Sequence, residues 1–173
     1  SKLMDEFMAL AYHRTTGLPV TVVRLFNTVG PRQTGTYGMV IPRFVSQALK
    51  NEPLTVYGDG SQTRTFTYVK DVVWGLMELI EHQDAFGEVF NIGGTEEISI
   101  RKLAESIITA TGSTSTIELV PYDKAFGKDF EDMQRRVPSV EKIHKLVGFD
   151  PKTSLEAILT NVINFMRQRT NSI

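Results

Sequence analysis

Cysteine is absent from the 173 residues, which excludes a disulfide framework, thiolate metal sites and a cysteine nucleophile. Also missing is any apolar run near the ~18–20 residues of a membrane-spanning helix, and no signal-peptide pattern opens the chain. Charge of one sign is lacking too: 19 Lys and Arg stand against 20 Asp and Glu, for a net charge of −1. No global field therefore draws the chain to nucleic acid or to a membrane surface, and neither is expected as a partner. P-loop, GxGxxG, HExxH and GxSxG motifs do not occur. His13, His82 and His144 lie apart without ligand spacing, so no metal site is expected. The expectation is a soluble cytoplasmic protein.

Hydrophobic residues make up 41% and charged residues 23%, an ordinary globular balance in a chain long enough for a real core. Helical spacing begins at once with Leu3, Phe7, Leu10 and Ala11, and Gly17 and Pro19 end it. Val20 to Leu25 is a β-branched run that reads as a buried strand. A second helix is expected from Pro42 to about Lys50, and strands at Leu54–Tyr57 and Thr63–Val69 flank a tight GDGS turn. Asp71 to about His82 reads as a helix with Val72, Val73, Leu76 and Ile80 inward, and Glu88–Ile92 as a strand before Gly93 and Gly94. Ser99 is placed to cap a helix to about Thr111, and Ile117–Val120 is a further strand. A polar stretch, Pro121 to Val137, shows little periodicity and is long for a loop in a compact domain. After a helix near Ser139–Val147, the stripe Leu155, Ile158, Leu159, Val162, Ile163 and Met166 marks the last helix, with Thr153 and Glu156 at capping-box spacing. Helix alternating with strand argues the α/β class.

The chemistry-bearing residues are arginines. Arg32, Arg64, Arg135 and Arg136 sit in or beside loops with glycine, proline or aromatic neighbours, and the planar guanidinium can fork two phosphate oxygens. In a nearly neutral chain such a cluster suits a small diphosphate better than a polymer. The alternative is surface ion pairing, worth ~0–1 kcal/mol each. The carboxylates of KDFED, residues 128–132, read as a solvated loop.

The segments "FNTVGPRQ", "YGMVIPRF", "VYGDGSQTRTFTYVKDV" and "VFNIG" follow in order over nearly the whole chain. Together they resemble the second half of an extended short-chain dehydrogenase, more narrowly the NAD-dependent nucleotide-sugar epimerase/dehydratase family. The resemblance implies the C-terminal part of a Rossmann-type α/β enzyme. Residues 1–30 would be a remnant of the dinucleotide-binding domain with one sheet strand, and 31–173 a small mixed α/β substrate-binding lobe. It also accounts for the abrupt start, which is expected of a cut chain: Ser1-Lys2 matches the end of a Y-x-x-x-K motif whose tyrosine would come just before. Lys2 is then the catalytic lysine that holds the nicotinamide ribose and lowers the tyrosine's pKa.

By the same resemblance, Phe26 and Thr28 face an NAD cofactor (NADP is left open), and Asn27 reaches the diphosphate or sugar. Val40, Pro42 and Phe44 match a segment lining the nucleotide-base pocket, with a core role the alternative for Phe44. Leu54 and Tyr57 match base-sandwiching positions. Arg64 matches the diphosphate arginine, and Arg136 a second phosphate contact with Arg135 its neighbour. Asn91 is expected to hold strand and turn geometry. Ser139 stands where many relatives carry an Asp, and is expected to cap the following helix as that Asp does. Met39 stands near an arginine of relatives that decarboxylate UDP-glucuronate, which weighs against that reaction. The implied activity is epimerisation or dehydration of a UDP- or dTDP-sugar through a transient 4-keto sugar, in a homodimer formed through the first helix. The fragment alone is expected to be inactive. A free-standing, non-catalytic nucleotide-sugar-binding or dimerisation module is the alternative.

Overall fold

The computed structural model describes residues 2–35, 39–127 and 132–170. Its helices are α1 (Lys2–Thr16), α2 (Val40–Leu49), α3 (Val69–Glu81), α4 (Ile100–Thr111), α5 (Tyr122–Phe126), α6 (Glu141–Val147) and α7 (Leu155–Thr170). The strands are β1 (Val22–Leu25), β2 (Thr28–Val29), β3 (Leu54–Tyr57), β4 (Thr63–Thr65), β5 (Thr67–Tyr68), β6 (Val89–Ile92), β7 (Glu97–Ser99), β8 (Ile117–Val120) and β9 (Arg135–Arg136). This is the mixed α/β arrangement that the alternation of patterns predicts.

The strands form four small sheets. β1–β6, β2–β5 and β3–β8 are parallel pairs, and β4 lies between β7 and β9. The β-branched run, expected as a buried strand over Val20–Leu25, forms β1 only from Val22 and buries none of its residues, Leu25 being 48% exposed; its parallel neighbour is β6, with Val22 opposite Val89 and Leu25 opposite Ile92. Among the described residues the other edge of β1 has no strand partner. The GDGS segment is the tight turn its glycines suggest, though it does not close a hairpin. It joins β3 to β4, which belong to different sheets, and the left-handed backbone at Gly58 (φ 71°) and Gly60 (φ 78°) makes that crossing. The expected strand Thr63–Val69 breaks at Phe66, so that β4 and β5 serve two sheets.

Two apolar clusters hold these pieces. In the larger, Ile41, Phe44, Val45 and Ala48 of α2 meet Leu103, Ala104 and Ile107 of α4, Ile158 to Ile163 of α7, and Leu54 and Val56 of β3. Each large side chain fully buried there contributes about 1.5–3 kcal/mol over an exposed one. The smaller cluster joins Val72 and Leu79 of α3 to Phe90 and Ile92 of β6, Ile143 of α6 and Phe149, with Val23 of β1 packed against it.

Local reading departs from the structure on α3 through close packing. On α3 the buried stripe is Val72, Gly75 and Leu79, whereas Val73 (51%) and Ile80 (64%) are exposed. A Cβ on Gly75 would lie 2.9 Å from the Phe149 ring. The helix therefore approaches on its glycine, a residue with no hydrophobic signal. Ser99 caps α4 as expected, its hydroxyl accepting from the Lys102 N–H at 3.2 Å. At α7 the cap is Ser154, accepting from Ala157 at 3.3 Å, and the Thr153 N–H donates to Asp71 rather than to Glu156 as a capping box would have it. Ser139 does not cap α6, which starts two residues later without a side-chain cap. Its carbonyl instead accepts the Asn91 amide at 3.1 Å, so Asn91 does tie strand to loop.

α1 buries none of its residues. Leu3, Met4, Phe7, Met8 and Tyr12 are each more than half exposed, an unusual apolar face for a helix in water.

Candidate functional site

After the end of β1 the backbone turns sharply. Asn27 adopts φ 34°, a left-handed conformation that Asn tolerates better than most residues. Its amide donates to the Thr65 carbonyl at 2.8 Å, while the Thr67 N–H and hydroxyl bond the carbonyls of Asn27 and Phe26. The turn is thereby pinned to β4 and β5. It leads into β2, where the Thr28 hydroxyl is buried and has no hydrogen-bond partner among the described residues.

Beside this turn opens a cavity of about 340 Å³. Its floor is a polar chain. Arg64, 9% exposed, donates through Nη1 to the carbonyls of Thr63 and Met133, both at 2.7 Å, and through Nη2 to Asp132 Oδ1 at 2.6 Å. The second Asp132 oxygen accepts from the Tyr122 hydroxyl at 3.0 Å, and Tyr122 in turn accepts from the buried Gln62 amide at 2.8 Å. Burial, then the hydrogen bond and charge of Asp132, push the Tyr122 hydroxyl up to about 12. It therefore keeps its proton and remains a donor at every physiological pH.

One wall of the cavity is aromatic. The Arg43 guanidinium lies 4.5 Å from the Tyr57 ring centre and donates to the Thr55 carbonyl at 3.1 Å. Phe126 meets Tyr57 edge to face at 4.8 Å. A cation over an aromatic face leaves a flat, polarised platform. Arg136 completes the cavity, 5.5 Å from the Phe26 ring. Among the described residues, Arg43, Arg64 and Arg136 share the cavity with one carboxylate, Asp132, and that part of the lining carries surplus positive charge. A larger groove between α4 and α7 has Glu96, Glu97, Glu105 and Glu156 on its walls and would repel the same anions.

Of the residues singled out from the sequence, Asn27, Val40, Tyr57, Arg64 and Arg136 line this one cavity. Phe44 and Leu54 are wholly buried in the larger core instead. Lys2 is exposed on α1. Thr28 sits at the same turn as Asn27, and Gln33 ties its carbonyl to Met39, donating to both at 3.0 and 3.4 Å. Arg32 is exposed. Arg135 points to Glu97 at 3.0 Å, and the Thr63 hydroxyl, then Arg135, hold that carboxyl below its usual range. The expectation that the KDFED carboxylates are simply solvated fails at Asp132, which pairs with Arg64; Asp129 and Glu131 lie outside the described residues. Sequence reasoning missed Arg43, Gln62, Tyr122, Phe126 and Asp132. The only local signal was Tyr122 and Phe126 at i, i+4 spacing, which puts both on one helix face.

Comparison with known proteins identifies the family. Residues 1–162 match the sequence family described as GDP-mannose 4,6 dehydratase. A UDP-N-acetyl-alpha-D-glucosaminuronate decarboxylase of Bacillus cytotoxicus is 42% identical over 98% of the chain and 53% of its own length. An epimerase of Methanothermobacter thermautotrophicus superposes with a TM-score of 0.90 at 29% identity, over 99% of this chain and 50% of that one. UDP-glucuronic acid 4-epimerase of Bacillus cereus, solved with UDP-glucuronic acid and NAD, superposes at 0.86 and 29% identity, over 97% and 51%. The chain spans about half the length, or less, of the curated relatives it matches.

Proposed function

Because the chain belongs to the GDP-mannose 4,6 dehydratase family, among the NAD-dependent nucleotide-sugar epimerases and dehydratases, we propose that its cavity binds a UDP- or dTDP-sugar for oxidation and onward conversion of the sugar. The observation that carries the reading is the surplus of arginine in a cavity with an aromatic wall. Arg64 and Arg136 are assigned to the diphosphate, and Tyr57 with Val40 and the Arg43 platform to the base. Asn27 is assigned to the sugar side.

NAD fits the other side of the same turn. The orphaned Thr28 hydroxyl is a buried donor at the carboxyl end of a parallel strand, where open α/β sheets receive ligands. Thr28 and Phe26 would hold the nicotinamide end and Lys2 its ribose. When bound, NAD supplies hydride acceptance and return at the sugar carbon. In this reading Lys2 also favours ionisation of the tyrosine that removes the sugar hydroxyl proton.

Epimerisation, dehydration and decarboxylation all follow from a 4-keto sugar. A decarboxylase reading is favoured by the name of the 42%-identical relative, and disfavoured by Met39, which offers a carboxylate no charge. Calorimetric titration of the chain with UDP, dTDP and inorganic pyrophosphate tests the binding reading. We expect either nucleotide to bind at least ~tenfold more tightly than pyrophosphate, since stacking adds to the ionic contacts. Equal affinity for all three, or none, sinks it. In a longer chain that also carries the tyrosine, product analysis with UDP-glucuronate separates release of CO2 from a retained carboxylate.

The exposed apolar face of α1 is assigned to a homodimer. Sedimentation equilibrium is expected to give twice 19.4 kDa for the wild type and a monomer for Phe7→Glu. A wild-type monomer at micromolar concentration would count against it.

A further inference from the structure

We propose that Asp132 is a positioning residue. It holds the Arg64 guanidinium by one edge so that the other edge is presented as a fork to the diphosphate. The proposal rests on the nucleotide-sugar reading above and adds a residue to it.

A guanidinium has two edges able to make paired hydrogen bonds, one through Nη1 and Nη2 and one through Nε and Nη2. In Arg64, Nη1 donates to the carbonyls of Thr63 and Met133 and Nη2 gives one hydrogen to Asp132 Oδ1. Among the described residues Nε and the second Nη2 hydrogen have no partner, and Arg64 lines the cavity. Asp132 is itself held at both oxygens, since Oδ2 accepts from Tyr122. Tyr122 is anchored by Gln62, whose amide also donates to the Tyr57 carbonyl at 2.9 Å. A chain of hydrogen bonds therefore runs from the strand carrying the aromatic platform to the arginine. Its protons can point only one way, because Arg and Gln donate and the carboxylate accepts. Such an arrangement fixes the fork before ligand arrives, and the ordering cost of a long side chain is met in folding rather than in binding.

The opposite role is also chemically sensible: Asp132 could be a competitor that the diphosphate must displace. Two substitutions separate the roles. Asp132→Ala removes both acceptors and the charge, whereas Asp132→Asn keeps an oxygen for Arg64, removes the charge and turns the atom facing Tyr122 from an acceptor into an amide donor. A positioning role predicts that Asp132→Ala weakens UDP about tenfold, that Asp132→Asn restores most of the loss, and that uridine binding is unmoved. Tyr122→Phe frees one Asp132 oxygen and is expected to weaken UDP in the same direction by a smaller factor. Independently of ligand, the Arg64 Nη–H signals should be resolved by NMR in the wild type and Asp132→Asn, and averaged by rotation in Asp132→Ala. Tighter UDP binding in both Asp132 variants overturns the proposal in favour of competition. Parallel loss of UDP and uridine shows a merely structural role. Averaged Arg64 signals in the wild type overturn it without any ligand. A wild-type chain that takes up no UDP overturns this inference and the nucleotide-sugar reading together; one that binds UDP while Asp132→Ala changes nothing overturns this inference alone.

Discussion

Arg64→Met is expected to weaken UDP by a factor of roughly 30 to several thousand. Removing one member of a buried, hydrogen-bonded charge pair costs about 2–5 kcal/mol in binding, and each 1.4 kcal/mol is about tenfold. The loss has two parts here. The diphosphate loses the fork, and Asp132, no longer neutralised by the guanidinium at 2.6 Å, stands as a bare carboxylate beside it. Methionine keeps the length and packing of the stem, so the change falls on the head group. Stability should fall less, because the Asp132 side chain is 28% accessible and water can replace part of what it loses, though the carbonyls of Thr63 and Met133 also lose a donor. About 1–3 kcal/mol is expected there. Arg64→Lys supplies the control. It restores the charge but cannot serve both edges at once, and should recover only part of the affinity. Calorimetry with UDP beside thermal unfolding of each variant separates the two effects. Wild-type affinity in Arg64→Met would remove Arg64 from the phosphate site.

How much of this was legible in the sequence depends on how local each signal is. The stripe of α7 is a repeated signal within one element, and that helix stands where the pattern puts it; the β-branched run does form a strand, β1, but a shorter one than Val20–Leu25 and with none of its residues buried. Strand partners are another matter. Nothing in LTVY says that β3 pairs with β8, some 60 residues on, rather than with β4 just across the glycine turn, because a strand pattern records burial and not its neighbour. The site divides in the same way. Arg64 and Tyr57 stood out through long motifs that resemble a family. Asp132 became visible only when the fold brought a charged loop onto a strand 68 positions away. Arg43 was hidden by its own element: one step along α2 from Phe44, it lies on the cavity side of a helix whose other side is core.

That neighbouring pair makes the second large effect. Phe44→Ala is expected to cost about 3–5 kcal/mol of stability, as for buried aromatic residues cut to alanine. Ile41, Phe44, Val45 and Ala48 recur at i, i+3, i+4 and i+7, the spacing of a core-facing stripe, and the Phe44 ring is wholly buried where α2 meets α4, α7 and β3. A domain of ordinary stability has about 5–15 kcal/mol in all, so the alanine variant could lose most of its margin. Phe44→Leu, which refills part of the space, should lose less and remain folded for titration. Its UDP affinity should match the wild type. Arg43 sits 5.4 Å from the Phe44 ring but closer, at 4.5 Å, to Tyr57, so the platform survives the exchange. Urea unfolding should show a lower midpoint with an unchanged slope. The reverse pattern, an unchanged midpoint with weakened UDP binding, would place the ring in the base pocket and α2 the other way round.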